Sequence, residues 1–228
     1  MTLVLAAQLT LQPEGRSNTK NAMVDKKDIY KIIISRRTIR AFKPKPIPLY
    51  KLKELVNAAR LAPSAANLQP LEFIVVDDRK ICNKIFPYLR WAAYIHPQGI
   101  PLPAKRPFAY IAVLVNPALA LKGGVNLNRT REEFFAYDMG AAVENILLAA
   151  CDEDIGSCWI HSLDRKPLQK ILKIPSFLRL DSLVALGYCA EAPKIEQLKD
   201  SVKYWKDKRG VLHVPKRSLK EIIHHNKY

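Results

Sequence analysis

Residues 35–42 read Ser-Arg-Arg-Thr-Ile-Arg-Ala-Phe, three guanidinium groups and a hydroxyl donor directly after the apolar run IYKIII. An arginine fork matches the geometry of phosphate oxygens. Each hydrogen bond to such a charged group contributes roughly 1.5–3 kcal/mol. Arg36, Arg37 and Arg40 lie three and four positions apart across an expected helix end, so two of them can face one ligand. Taken alone, the segment serves equally well as a basic surface turn.

Three more stretches carry polar groups in chemically suggestive settings. LAPSAANLQP, residues 61–70, joins a helix to a strand and offers Ser64, Asn67 and Gln69 on a backbone kept tight by Ala65 and Ala66. A flat heteroaromatic ring needs donors at its edge and small residues against its face. A polar connector between two prolines would look the same. GSCWIHSLD, residues 156–164, runs from a strand end through a loop into a helix, where backbone N–H groups can point at a ligand. His161 invites an acid–base role there, though a lone histidine at a strand end is more often a plain loop residue. VPKRSLKEIIHHNKY at the C-terminus puts Lys216 and Arg217 just before an expected helix start at Ser218, again a combination that suits an anion.

The elements that must hold these stretches follow from the hydrophobic pattern. DIYKIII predicts a first helix with Asp28 as N-cap. Leu49, Leu52, Leu55, Val56 and Ala59 recur at helical spacing after Pro48, and that helix must stop near Pro63. LEFIVVDD, YIAVLVNP, SCWI and SLVALGY have the β-branched and apolar density of strands. RWAAYIHPQGIPLPAKRPF, proline-rich and aromatic, predicts a loop or lid. DMGAAVENILLAACDEDIG is a long helix with almost no polar face, which predicts burial in a subunit core or at a seam between subunits. DRKPLQKILKI reads as a surface helix and SLKEIIHH as a last one. The sum is one α+β domain with a sheet of four or five strands, spanning residues 23–228. Residues 1–22 read as a disordered tail or a mis-called start.

Composition sets the outer bounds. The chain has 228 residues and 37 Lys and Arg against 21 Asp and Glu, a formal charge of +16 that favours anionic partners. Cys82, Cys151, Cys158 and Cys189 form no C-x-x-C pair, which points to free thiols in a reducing cytoplasm. The five histidines show no zinc-ligand spacing, so no metal site is expected. No apolar run approaches a membrane span, and no nucleic-acid motif accompanies the charge.

The ordered set resembles one family, the FMN-dependent nitroreductases. S-R-R-T-x-R-x-F is followed by A-A-R-x-A-P-S-A-x-N-x-Q-P, F-I-V-V, an alanine-rich helix, I-G-S-C-W-I, A-L-G-Y-x-A-E and finally K-R-x-L-x-E-I-I-H. The resemblance covers residues 29–227. It implies an α+β fold, a central mixed β-sheet flanked by helices, in an intertwined homodimer with FMN at the interface. It assigns Arg36, Arg37, Thr38 and Arg40 to the FMN phosphate, ribityl chain and one ring edge, with Lys216 or Arg217 closing on the phosphate. Pro63, Ser64, Ala65 and Asn67 would come from the other subunit, and Ile160, His161 and Ser162 would present a backbone N–H to the flavin. No side chain is then needed as nucleophile, because the cofactor carries the chemistry. NADH or NADPH would reduce FMN and leave before a nitroaromatic, quinone or similar acceptor took its place. Two alternatives stand beside this: a reductive dehalogenase or flavin oxidase or dehydrogenase on the same fold, and a basic nucleic-acid-binding protein without flavin.

Overall fold

The computed structural model describes residues 26–122 and 131–228. The expected tail, 1–22, lies outside them. Helix α1 spans Lys26–Ser35. It starts before Asp28, which therefore falls within its first turn and is not the N-cap. Helix α2, Leu49–Arg60, starts behind Pro48, whose ring holds φ at −58°, and buries Leu52, Leu55 and Ala59. Strand β1 is Leu71–Val76. The acidic turn after it opens a helix that the sequence pattern did not reveal: α3, Arg79–Ile85, capped by the Asp78 carboxylate, which accepts from Ile81 N. Then come β2 (Ala109–Val115), α4 (Pro117–Lys122), α5 (Arg131–Asp152), β3 (Ile155–Ile160), α6 (Arg165–Ile171) and β4 (Arg179–Tyr188). The proline-rich segment between α3 and β2 holds only short 3₁₀ turns, at Ala93–Ile95 and Pro103–Lys105, beyond the one that continues α3.

These four strands form one sheet in the order β1-β2-β4-β3, and every pairing between them is antiparallel. A parallel contribution comes from the bridge between Thr38 and Ser157 on the outer side of β3. The central strands are apolar on both faces because both faces are covered. Tyr110, Ala112 and Leu114 of β2 pack with Cys82 and Ile85 of α3 and Leu168 of α6. Ile111 and Val113 point the other way, into Leu52 and Leu55 of α2 and Val143, Ile146 and Ala150 of α5. The period of two along the strand thus divides the core into two clusters and makes a three-layer α/β/α domain. Residues 133–152 of α5 meet the length and composition of a membrane span, yet this stretch is a core helix, packed on α2 and β3.

A second sheet of three strands follows, β5 (Lys194–Gln197), β6 (Trp205–Lys206) and β7 (Leu212–Lys216), in the order β5-β7-β6, with β5 and β7 parallel. His213 anchors it. Its ring stacks on Trp205 at 4.2 Å, with Nδ1 on the Glu196 carboxylate and Nε2 3.3 Å from Asp207. The expected last helix is only a 3₁₀ turn, Leu219–Glu221, closed by a Ser218–Glu221 capping box. Leu219, Ile222 and Ile223 remain more than half exposed. With no surface among the described residues against which to bury that face, so short a helix cannot offset the cost of its own nucleation.

Candidate active site

The arginine-rich segment leaves α1 and runs extended along the free edge of β3. Ile39 N donates to Ser157 O at 2.9 Å, and Phe42 N to Lys105 O at 3.0 Å. Two glycines make this approach possible. Gly156 and Gly187 face each other across β3 and β4. A Cβ on Gly156 would lie 2.9 Å from Ile39 Cγ2, and one on Gly187 would lie 2.7 Å from Phe42 Cδ1. The sheet is therefore bare where Ile39 and Phe42 must settle, and both are buried there. Sinking those two residues fixes the arginines beside them.

Each arginine has a distinct setting. Arg36 Nε sits 3.4 Å from Glu144 Oε1, a partly exposed pair that contributes about 0–1 kcal/mol. Arg37 turns back on α1, donating from Nη1 to the carbonyls of Ile34 and Arg36, both at 2.7 Å. Among the described residues, its buried Nε has no partner. Arg40 donates its amide to Glu191 Oε1 at 2.5 Å, and its guanidinium lies 5.3 Å from the Tyr204 ring centroid. Its Nε is likewise buried and without a partner. Buried guanidinium N–H groups of this kind are costly unless an acceptor reaches them. Arg36 and Arg37 line one cavity of about 350 Å³ with Ile39, Cys151, Ser157 and Cys189, while Arg40 lines another. The chain is extended after Ser35, so helical spacing does not govern which arginines share a cavity.

The Pro63–Gln69 loop is held from behind. Ala65 N donates to Asp138 Oδ1 at 2.8 Å, and Gln69 N to Ser64 Oγ at 3.1 Å. Ala66, Asn67 and Gln69 have φ of 49°, 54° and 50°, left-handed values that cost a non-glycine residue of order 1–3 kcal/mol outside the most tolerant positions. Pro63 and Ser64 line a separate cavity of about 270 Å³ that Asp138 also borders. Burial raises the Asp138 carboxyl above its ordinary range, and the Ala65 amide pulls part of that back.

At the end of β3, the Ile160–Ser162 turn is clamped on both sides. Arg90 N donates to Ser162 O at 3.0 Å. Arg165 donates to the carbonyls of His161 and Asp181. His161 Nε2 lies 3.5 Å from Asp181 Oδ1. Ile160 itself is buried. The C-terminal pair stands apart from the arginine cavity: Lys216 ends β7, and Arg217 Nη2 donates to Glu221 O at 2.6 Å within its own turn. One chain therefore brings together Arg36, Arg37 and the neighbouring Thr38, but it keeps Pro63–Asn67, the His161 turn and Lys216–Arg217 at other places. Sequence reasoning gave no role to Glu144, Asp138, Asp181 or Glu191. Only Glu191 had a visible signal, as the acid in G-Y-C-A-E.

Comparison with known proteins follows the same segments. Residues 33–188 match the nitroreductase family. A protein of Archaeoglobus fulgidus, provisionally named an NADH dehydrogenase/NAD(P)H nitroreductase, is 35% identical over 162 residues, covering 69% of this chain and 83% of its own. The iodotyrosine deiodinase of Haliscomenobacter hydrossis is 29% identical over 207 residues, covering 82% and 88%. Among solved structures, the NADPH:FMN oxidoreductase of Vibrio harveyi in complex with NAD+ superposes with a TM-score of 0.60 at 19% identity, covering 88% and 78%, a likeness of fold.

Proposed function

Because the chain belongs to the nitroreductase family, we propose that it is an FMN-dependent oxidoreductase that passes electrons from NADH or NADPH to an electron-poor acceptor. The observation that carries this reading is the unpartnered, buried Nε of both Arg37 and Arg40 in a segment already pinned to β3. Those N–H groups need an anionic or carbonyl acceptor that none of the described residues supplies. The phosphate of FMN suits Arg36 and Arg37, with the Thr38 hydroxyl beside them, and a carbonyl edge of its ring suits Arg40. A fixed cation at that edge lowers the cost of negative charge on the ring.

Bound FMN supplies two-electron redox chemistry between the nicotinamide donor and a nitroaromatic, quinone or similar acceptor. The residues of the chain bind and orient. Ile160, His161 and Ser162 form a turn clamped by Arg90 and Arg165, and a clamped turn can hold an amide aimed at one ring atom.

Two half-sites on one chain argue for two copies. Pro63 and Ser64 border a cavity distinct from the arginine cavity, and a twofold partner brings the one, with Ala65 and Asn67 of the same loop, against the other. Helix α1 leaves Ile29, Tyr30, Ile33 and Ile34 about half exposed or more, and the C-terminal turn exposes Leu219, Ile222 and Ile223. A homodimer buries these surfaces, and its formation would also carry Lys216 and Arg217 toward the phosphate. The thiols are all free, which suits a reducing cytoplasm. The deiodinase relative keeps reductive dehalogenation as the second reading.

The discriminating experiment on the site is cofactor choice. The apoprotein should take up FMN but bind riboflavin, which lacks the phosphate, about a hundredfold more weakly. Equal affinity for the two removes the arginine cavity as the phosphate site.

A further inference from the structure

We propose that the cleft between the proline-rich segment 95–105 and the turn 209–212 is a second phosphate subsite, one that reads the 2′-phosphate distinguishing NADPH from NADH. The proposal rests on the flavin-reductase reading and names which donor that enzyme prefers.

The cleft is a cavity of about 410 Å³ onto which four cations converge: Arg40, Lys105, Lys206 and Arg209. One carboxylate, Glu191, shares the lining, and its Oε1 is taken by the Arg40 amide. The excess of positive charge is therefore not neutralised from within. Among the described residues, no hydrogen bond or ion pair engages the side chains of Lys105 and Arg209, and both residues are exposed at the rim. Like charges around one cleft repel one another, and a bound dianion offsets that repulsion.

The walls are built rather than incidental. Lys206 Nζ donates to Gln98 O at 3.0 Å, joining the turn to the proline-rich segment. Tyr94 and Tyr204 pack at 5.0 Å and join them again. The turn itself is wound on Asp207, whose Oδ1 accepts from Arg209 N and Val211 N, both at 2.9 Å. His213 holds the other carboxylate oxygen of Asp207 at 3.3 Å. Ile95, Ile100 and Leu102 give the cleft an apolar side against which a sugar or base can lie. Arg40, proposed above for the flavin's ring edge, also borders the cleft, so a ligand here lies next to the proposed flavin site. A phosphate monoester is dianionic near neutral pH and matches several converging cations. The 2′-hydroxyl of NADH offers no charge to them.

The test is direct binding to the FMN-reconstituted protein by calorimetry, comparing adenosine 2′,5′-bisphosphate with adenosine 5′-monophosphate. The wild type should favour the bisphosphate by about tenfold or more. Lys105→Ala with Arg209→Ala, both exposed and free of partners, should erase that preference and leave FMN retention as in the wild type. Steady-state kinetics should follow, with kcat/KM for NADPH falling by about tenfold and that for NADH by less than about twofold. Equal affinity of the wild type for the two nucleotides overturns the subsite, and so does a preference that survives in the double variant. The parent reading fails separately: if neither NADPH nor NADH reduces the flavin while the bisphosphate preference is present and lost in the variant, the subsite stands and the reductase does not.

Discussion

The Ala65 amide and the Asp138 carboxylate meet at 2.8 Å across 73 positions of sequence, and this one bond ties the left-handed Ala66–Gln69 turn to the middle of the core helix α5. Asp138 is only 6% exposed. Replacing it with alanine leaves a part-buried amide without its partner, a loss of about 1 kcal/mol or more. Asp138→Ala should therefore lower Tm by several degrees, while Asp138→Asn keeps an acceptor oxygen and should stay near the wild type.

The burial of the same carboxyl gives a pH dependence with a definite sign. Burial raises the Asp138 carboxyl above its ordinary value, so the folded state holds the proton more firmly than the unfolded chain. The contribution of this group is fully present below the unfolded value of 3.8 and is lost as pH rises through the folded one. Asparagine does not titrate. The Tm of Asp138→Asn relative to the wild type should rise as pH increases above the unfolded value of 3.8. A difference that falls over that range contradicts the assignment.

The arginines separate binding from stability. Arg36 touches the fold through one partly exposed pair with Glu144. Arg36→Ala should weaken FMN by about tenfold or more with Tm almost unchanged. Arg37 also satisfies two carbonyls at the end of α1. Arg37→Ala should lose FMN affinity and about 1 kcal/mol of stability per lost bond. Arg217→Ala should weaken FMN without unfolding the chain. Flavin occupancy equal to that of the wild type in Arg36→Ala and Arg217→Ala removes the phosphate assignment.

Gly187→Ala places a methyl group 2.7 Å from the Phe42 ring. Overpacking of this kind costs about 1–3 kcal/mol. The strain falls on the residue that seats the arginine segment, so FMN occupancy should drop together with Tm. A variant with full occupancy would show that the seat of Phe42 does not position the arginines.

Thiol labelling tests which cavity the cofactor fills. Burial pushes the Cys82 and Cys158 thiols up to about 11, so neither should react near neutral pH in the folded protein. Cys151 and Cys189 line the cavity of Arg36 and Arg37. FMN should slow labelling of Cys151 in the holoprotein relative to the apoprotein. Equal rates in the two forms move the phosphate elsewhere.

The legible parts of this chain were those where pattern and packing agree. Leu52, Leu55 and Ala59 mark α2 because the same spacing that makes the helix buries them. Strand β2 is apolar throughout because Tyr110 and Ile111 enter opposite clusters. Helix α3 stayed hidden because its seven residues bury only Cys82 and Ile85, too few to set a period. The second sheet rests on His213 between two carboxylates and a tryptophan, a tertiary contact that no local spacing announces. The failed last helix shows the reverse: Leu219, Ile222 and Ile223 have helical spacing, but nothing among the described residues covers them. At the site, the arginine motif was visible, but not the glycine pair that seats it, because Gly156 and Gly187 meet only once β3 and β4 pair.

The most direct measurement is the visible absorption spectrum of the purified protein, taken before and after NADH and NADPH are added without oxygen. The account predicts a yellow protein with a flavin spectrum that is bleached by at least one nucleotide and restored by a quinone or nitroaromatic. A colourless protein that FMN cannot reconstitute, or a flavin that neither nucleotide bleaches, would contradict it.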